Sequence, residues 1–328
     1  MFPRSRRAAS VAALVIMGMT VVGCSSTETP ITASPTASAS AATTVDNCGT
    51  TVAEGTEPER ILTIKSTTFE LLLALGLEDR MIATAYLDGD VPAAYAAAAS
   101  EVPVLSKGLP SHEAVLNLEP DFVFAGWESN FSADGVGERA ALEQLGIGTY
   151  VAPSACKAVE YMPNPLTFDV VFDSFLEAGD IFGAEQAAQT LVARQRAQLD
   201  AIVPNGEGLT ALWYSSGREQ PYVGAGIGAP AMLMKAAGVA NIFADVKDTW
   251  TSTSWEAVAE KNPDVIILIA SPGNTIEDKI TLLKADPVMS TLDAVINERF
   301  VTLDFAAAEA GVRNVDAVAS IVAQLDAL

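Results

Sequence analysis

Positively charged side chains are scarce in this chain, so their positions are informative. The sequence has 19 Lys and Arg against 41 Asp and Glu, a formal net charge of −22 at pH 7. Lys65 follows a predicted strand and, with Ser66 and Thr67, opens a predicted helix, where backbone N–H groups can hold an anion. Three further cations fall in predicted strand-end loops or helix starts: Lys107, Lys157 and Arg313. If they converge, they predict a site for an anionic ligand; the alternative is ordinary solvated side chains.

Aromatic residues make up only 7% of the chain, yet several fall at strand ends or in loops rich in Ser and Gly. We predict that four of them line a ligand cleft: Trp127, Tyr214, Tyr222 and Trp250. Such rings can stack on a flat ring system. The alternative for each is a place in the core, and the polar neighbours of Trp127 and Trp250 favour the cleft for these two.

The residues needed for catalysis or metal binding are mostly missing. A zinc or manganese site usually takes several His or Cys ligands, and the chain has one His and three Cys. It contains no G-x-S-x-G motif, and a single His leaves little choice of base for a nucleophilic serine. We therefore predict that the chain is not an enzyme and has no cofactor or metal site. A secreted hydrolase with paired cleft carboxylates is the remote alternative.

A repeated pattern predicts the elements that position these residues. Residues 113–124 read EAVLNLEPDFVF, and residues 256–267 read EAVAEKNPDVII. In each copy a Glu opens a short helix, Pro-Asp forms a turn, and a continuous apolar strand follows, as in a parallel sheet covered on both faces. Ser111 and Ser254 are predicted to cap the two helices. One copy in each half of the chain predicts two similar α/β lobes.

A long helix is predicted between the two halves. Residues 184–203 are rich in Ala, Gln, Arg and Leu, which favour helix, with Gly183 before them and Pro204 after them. At about 1.5 Å per residue this helix is about 30 Å long. The sequence thus predicts an α/β fold of two Rossmann-like three-layer lobes, 45–183 and 204–328, joined by one rigid helix. We expect the ligand cleft between the lobes, at the carboxyl ends of the strands.

The N-terminus has the pattern of an export signal. Three Arg precede an apolar run over residues 8–22, which is shorter than the ~20 residues that span a bilayer. Small residues before Cys24 predict a lipoprotein signal peptide over 1–23 and acylation of that cysteine, which anchors the chain to the membrane. Residues 24–44 are rich in Ser, Thr, Ala and Pro and predict a flexible tether. The predicted location is the extracytoplasmic face of the cell membrane; the alternative is an ordinary signal peptide with a chance Cys.

Export also bears on the other cysteines and on the charge. An oxidising compartment permits a disulfide, and we predict that Cys48 pairs with Cys156, with two buried thiols as the alternative. A strongly acidic surface repels nucleic acid and anionic lipid. We therefore expect no nucleic-acid partner, and membrane contact only through the lipid anchor.

Taken together, these features resemble the substrate-binding proteins of ABC importers for ferric siderophores, haem and cobalamin, periplasmic binding proteins of class III. The resemblance covers about residues 58–325. The segments that carry it are PERI at 58–61, ELLLALG at 70–76, LEPDFVF at 118–124, SWE at 254–256, NPDVIIL at 262–268, and Arg313. It implies a monomeric, two-lobed binding protein with a small-molecule ligand, whose partners are an ABC permease and its ATPase.

The resemblance also implies a role for the two Glu that open the repeated helices. In this family one Glu on the rim of each lobe docks onto basic residues of the permease, and by position these are Glu113 and Glu256. A carboxylate in the first turn of a helix is favoured by the helix dipole. The alternative is that each Glu only stabilises its own helix.

A narrower resemblance concerns the ligand. The stretches TIKSTTFE, AGWESNF, YVAPSACK, ALWYSSG, PYVGAGIGAP and DTWTSTSWEAVA are similar to an actinobacterial branch proposed to bind a precursor of the deazaflavin redox coenzyme. That precursor carries a tricyclic ring, a phosphodiester and a carboxylate. A ferric siderophore, cobalamin or haem is the alternative ligand, and a structural or adhesive lipoprotein is a further alternative class.

Overall fold

The computed structural model of the chain describes residues 43–328. The predicted signal peptide, the predicted lipidation site Cys24 and nearly all of the predicted tether lie outside the described residues. Within residues 43–328, none of the helices combines the length and the apolar character needed to cross a membrane.

The N-terminal lobe is built on a five-stranded sheet in which every strand is parallel to its neighbours. A separate antiparallel hairpin precedes it, formed by β1 (Thr44–Asn47) and β2 (Thr50–Ala53). The strands of the sheet are β3 (Ile61–Ile64), β4 (Met81–Ala85), β5 (Val104–Ser106), β6 (Phe122–Ala125) and β7 (Gly148–Val151). Their order across the sheet is β5-β4-β3-β6-β7.

Both faces of this sheet are packed, which accounts for the continuous apolar runs in its sequence. In β6, Phe122 and Phe124 belong to one buried cluster, whereas Val123 and Ala125 belong to a second. Four helices accompany the sheet: α1 (Ser66–Ala74), α2 (Ala96–Ala99), α3 (His112–Leu116) and α4 (Arg139–Gln144). Short 3-10 turns occupy 78–80, 93–95, 128–130 and 153–155.

Two long helices connect the sheets. The helix predicted over 184–203 is present as α6 (Glu185–Ala201). It follows directly on α5 (Phe168–Phe182), which the sequence did not predict because its Phe and Val residues also suit a strand. A Cβ at Gly179 of α5 would lie 2.6 Å from the Cβ of Ala188 in α6, so glycine is required where the two helices touch. A single buried cluster contains residues of α5, α6 and both sheets, which makes the connection rigid.

The C-terminal lobe has a mixed sheet. Its strands are β8 (Thr210–Ser216), β9 (Tyr222–Gly224), β10 (Ala240–Asn241), β11 (Trp250–Ser252), β12 (Val265–Ala270) and β13 (Phe300–Asp304). The order is β11-β9-β8-β12-β13, and β10 pairs with the start of β8. β8, β12 and β13 are parallel, and β12 is the parallel strand predicted after Pro263-Asp264. β9 and β11 form an antiparallel edge that was not predicted. The predicted class of two α/β lobes is confirmed.

Helices complete this lobe: α7 (Ala229–Ala236), α8 (Trp255–Lys261), α9 (Ile276–Ala285), α10 (Asp293–Ile296), α11 (Phe305–Ala308) and α12 (Asn314–Leu325), with a 3-10 turn at 289–291.

The two helix caps predicted from the repeat are present. Ser111 accepts a hydrogen bond from Ala114 N at 3.3 Å, and Ser254 accepts one from Ala257 N at 3.2 Å.

The Asp of the repeated Pro-Asp turn makes equivalent hydrogen bonds in both lobes. The Asp121 carboxylate accepts hydrogen bonds from Glu59 N and Arg60 N at 2.8 and 2.9 Å, just before β3. The Asp264 carboxylate accepts one from Thr210 N at 2.8 Å, at the first residue of β8. Each Asp therefore ties the strand that follows it to the start of the neighbouring central strand.

The predicted disulfide between Cys48 and Cys156 is present and joins the turn of the hairpin to the loop after β7. The hairpin is also held by Asn47, whose side chain exchanges two 2.8 Å hydrogen bonds with the backbone of Val151. The loop after β7 is thus fixed at one end by the strand and at the other by the sulfur bridge.

We expect that replacing both cysteines, Cys48→Ser and Cys156→Ser, lowers the free energy of unfolding by about 4 kcal/mol. The reason is that the bridge spans a sequence separation of 108 residues and restricts the unfolded chain. Urea titration under non-oxidising and oxidising conditions measures the change, and wild-type protein with reduced cysteines should match the double variant. An unchanged midpoint would contradict a stabilising role for the bridge.

Candidate functional site

A cavity of about 810 Å³ lies between the two lobes, within the size range typical of small-molecule sites. Residues at or just after the carboxyl ends of strands in both sheets contribute to its lining, among them Lys65 after β3, Tyr86 after β4, Ser216 at the end of β8 and Ser271 after β12. This is the position expected for a ligand in an open α/β sheet.

Six of the ten predicted ligand-binding residues line this cavity: Lys65, Lys107, Trp127, Lys157, Tyr222 and Trp250. Tyr222 and Trp250 reach it from β9 and β11, the antiparallel edge of the C-terminal sheet. Lys157 follows Cys156 in the loop that the disulfide fixes, and Cys156 itself lines the cavity. Residues far apart in sequence are thus brought together around one space.

The other four predicted residues lie outside the lining, where each has a different contact. The Ser66 hydroxyl accepts a hydrogen bond from Asp88 N at 2.9 Å, and Thr67 packs beside Gly311 of the opposite half. Tyr214 is only 1% exposed, because its ring packs edge-on against Trp255 at 5.1 Å.

The last of the four, Arg313, binds across the two halves of the chain. Its guanidinium donates to both carboxylate oxygens of Glu70 in α1 and to the carbonyl of Asp90 at 2.7 Å. The Glu70 side chain is buried, and burial raises its pKa, opposed by the hydrogen bond and charge of Arg313. Arg313 therefore neutralises a buried carboxylate outside the cavity lining.

Lys65 forms the base of the cavity, where its charge is already neutralised. It is 2% exposed and forms an ion pair with Asp88. Its Nζ lies 3.8 Å from the ring centroid of Trp127 and 4.5 Å from that of Tyr86, so the rings add cation–π contacts. A Cβ at Gly126 would lie 2.8 Å from the Lys65 Cβ, so glycine is required beside it.

The backbone at this base is strained. Lys65 has φ 83° and Tyr86 has φ 56°, a region that side-chain-bearing residues rarely adopt and that costs about 1–3 kcal/mol each. The ion pair and ring contacts hold both residues in place. Strain of this kind is concentrated where a structure presents side chains to a ligand.

Lys107 and Lys157 differ from Lys65 in being exposed. Neither takes part in an ion pair within residues 43–328. Both ammonium groups are therefore available to an anionic group of a ligand at the cavity wall.

The sequence analysis missed one prominent cavity residue, Glu309. It lies between α11 and α12 and is 9% exposed, and its Oε2 accepts a hydrogen bond from Trp127 Nε1 at 2.9 Å. Burial raises its pKa to about 7, against the lowering effects of the Trp127 hydrogen bond and the Lys65 charge. No strand end marks Glu309; the only available signal was a single acid within the apolar segment FAAAEAG.

The two predicted docking residues occupy equivalent places in the two lobes. Glu113 and Glu256 are both exposed and lie in the first turns of α3 and α8. Helices that lead into parallel strands begin at the carboxyl edge of the sheet, which is also the edge that bears the cavity.

The part of the chain that the structure describes contains no group of three or more His, Cys, Asp or Glu side chains placed to hold a metal ion.

Comparison with known proteins agrees with this geometry. A family model described as periplasmic binding protein matches residues 61–307. The crystal structure of a periplasmic binding protein from Veillonella parvula is 26% identical, with a TM-score of 0.75 over 87% of this chain and 97% of that one. An ABC-type Fe3+-hydroxamate transport system from Saccharomonospora viridis is 25% identical, with a TM-score of 0.72 over 87% and 99%.

A curated relative, the cobalamin-binding protein of Halobacterium salinarum, is 27% identical over 236 residues. The match covers 68% of this chain and 57% of that relative, so the chain spans little more than half the relative's length. On the extent of the family match, the chain belongs to the periplasmic binding protein family.

We expect Glu309→Gln to change the pH dependence of stability. The wild-type carboxyl has its pKa raised from 4.5 to about 7 on folding, so its stabilising contribution is complete below pH 4.5 and is lost as pH rises through 7. Relative to the variant, wild type should lose up to about 3 kcal/mol between pH 4.5 and pH 8. The amide oxygen keeps the Trp127 hydrogen bond.

Urea unfolding of both proteins at several pH values measures this difference. Other buried carboxyls with raised pKa, such as Glu70, are common to both proteins and cancel. Parallel curves for wild type and variant would show that Glu309 does not titrate near neutrality.

Proposed function

We propose that this chain is the extracytoplasmic solute-binding lipoprotein of an ABC importer, which captures a bulky ligand and delivers it to a permease. The observation that supports this most directly is the 810 Å³ cavity between two rigidly connected lobes, with aromatic residues from both. The lining combines aromatic and aliphatic side chains with charged ones that can fix the orientation of a ligand, as expected for a binding site. Relatives named as binding proteins favour binding over catalysis.

For the ligand we propose the deazaflavin coenzyme precursor. Its tricyclic ring suits the rings of Trp127, Tyr222 and Trp250, which come from both lobes. Its phosphodiester and carboxylate suit Lys107 and Lys157, which form no ion pair within residues 43–328. The support is the local sequence resemblance together with this pairing of aromatic and cationic lining.

Cobalamin is the second candidate, because a curated relative is named as a cobalamin-binding protein. A ferric hydroxamate is a third, because a similar solved structure is named for Fe3+-hydroxamate transport. Either ligand would also occupy a large cavity with aromatic walls. Haem is retained from the sequence resemblance.

The proposal includes export and a lipid anchor. Family membership is consistent with a location outside the cytoplasm. Acylation at Cys24 and cleavage after residue 23 rest on the sequence pattern. Mass spectrometry of the mature N-terminus from the native host tests both.

Ligand binding can be followed by the protein's own fluorescence. Trp127 and Trp250 line the cavity, whereas Trp213 and Trp255 are buried in the C-terminal lobe. We expect saturable quenching by the deazaflavin precursor at about 1 μM or below, an affinity of about −8 kcal/mol. Replacing Trp127 and Trp250 by Phe should remove most of the quenching, and Trp255→Phe should preserve it.

The same titration is run with cobalamin, haem and a ferric hydroxamate, and with free N-acetyltryptophanamide to correct for absorption by the ligands. Mass spectrometry of the bound compound should return it unchanged. If only one of the other compounds binds, that compound replaces the deazaflavin precursor as the proposed ligand. Conversion to a product would contradict the binding role, and failure of all four compounds to bind would argue against this ligand class.

Permease docking is tested separately by charge reversal. The double variant Glu113→Lys and Glu256→Lys should lose uptake in the host, because like charges facing the permease cost several kcal/mol. Ligand affinity should stay within about 2-fold of wild type, since neither residue lines the cavity.

The matched control is Glu101→Lys with Glu207→Lys. Both residues are exposed and lie shortly before β5 and β8, at the opposite edge of the sheets, and the change in net charge is the same. Normal uptake by the docking variant, or loss of uptake by the control, would contradict the assigned docking surface.

A further inference from the structure

Glu309 has an acceptor oxygen that the protein does not use. Its Oε2 is occupied by the Trp127 indole N–H at 2.9 Å. Its Oε1 accepts no hydrogen bond from residues 43–328, and it is not among the side-chain atoms that are sealed from solvent without a partner. Because Glu309 lines the cavity, this oxygen is accessible to a bound molecule.

The position of Glu309 is well fixed. The buried side chain of Asn314 donates to the carbonyl of Glu309 at 2.7 Å and to that of Ala307 at 3.2 Å, and it accepts from Gly311 N at 2.8 Å. These bonds hold the junction between α11 and α12. Together with the Trp127 hydrogen bond to Oε2, this presents the carboxyl in one orientation before a ligand arrives.

The charge of Glu309 is also not cancelled by a direct ion pair within the described chain. The nearby ammonium of Lys65 is bound to Asp88. Rings surround the site instead: Trp127 packs edge-on against Tyr86 at 6.0 Å and Phe305 at 6.4 Å. An acceptor in such surroundings gains strongly from a donor and is costly to bury without one.

We propose that Glu309 selects the ligand, by accepting a hydrogen bond from an N–H or O–H on the edge of a planar ring held against Trp127. The ligand's anionic group then points towards Lys107 and Lys157. This inference rests on the proposed solute-binding function. The expected ligand is a flat ring that carries a hydrogen-bond donor on the edge beside Glu309 and an anionic group at its opposite end.

The physical basis is the difference between stacking and hydrogen bonding. Many flat rings can stack on Trp127, because the free energy of stacking depends mainly on the contact area. A buried acceptor rejects a ring whose edge lacks a donor, because filling the cavity then leaves the carboxyl unpaired. Selectivity among flat compounds is thus assigned to Glu309, and affinity for the anion to the two lysines.

The test is run at pH 8, above the raised pKa of Glu309, so that the carboxylate can only accept. It compares 5-deazariboflavin 5′-phosphate with its N3-methyl derivative, in which the ring-edge N–H is blocked. Wild-type protein should prefer the parent compound by at least about 10-fold in Kd. In Glu309→Gln, which keeps the Trp127 bond but places an amide at the free position, parent affinity should fall about 10-fold and the preference should largely disappear.

The matched control is Asp248→Asn, which also removes one negative charge from the cavity lining. It should retain the preference for the parent compound. Circular dichroism of each variant checks its fold, and the wild-type comparison needs no variant. Equal binding of the two compounds by wild type, or an unchanged preference in Glu309→Gln, overturns the inference and leaves the solute-binding function intact.

Two further outcomes separate the claims. If neither flavin analogue binds but cobalamin or a ferric hydroxamate does, the donor-edge class is wrong and the importer role stands. If none of these compounds binds, the proposed ligand class fails and this inference fails with it.

Discussion

The arrangement of the cavity depends on one buried charge, the ammonium of Lys65. It sits at the junction of the lobes, paired with Asp88 and in contact with rings from both halves, including Trp127 and Phe305. A buried cation without these partners would be very costly. The same contacts hold backbone conformations that would otherwise be unfavourable. Because Trp127 also bonds Glu309, the ion pair, the ring and the acceptor form one connected base, and none can move far without the others.

Rigidity follows from how the lobes are connected. α5 and α6 share a buried cluster with both sheets, and Arg313 holds Glu70 across the two halves. A protein of this construction offers a largely pre-formed cavity, so little binding free energy is lost in ordering it. Recognition by a membrane partner would then depend on small changes in the spacing of the two rims. The matching first-turn positions of Glu113 and Glu256 suit such a readout.

Much of this fold was predictable because burial leaves a strong sequence pattern. The strands that follow the two Pro-Asp turns, β6 and β12, were predicted, since a short continuous apolar run between turn signals is typical of a strand buried on both faces. α5 was missed because helix and strand compete for Phe- and Val-rich segments. β9 and β11 were missed because a strand of three residues carries too little sequence pattern.

In the cavity, Lys65 was recognised as a loop cation, but its partner Asp88 lies 23 residues away, and nothing local indicates that their charges cancel. Glu309 was missed for a related reason, because its role depends on residues that lie near it only in the folded structure.

The bridge between Cys48 and Cys156 also has a mechanical consequence. Cys48 follows β1 directly, so tension applied along the chain before β1 would pass from one sulfur to the other and into the loop after β7. The backbone between the two cysteines holds all five strands of the first sheet and is bypassed by this covalent path. β7 would share the load only through the hydrogen bonds between Asn47 and Val151, and the loop of Cys156 at the cavity wall would carry the covalent part.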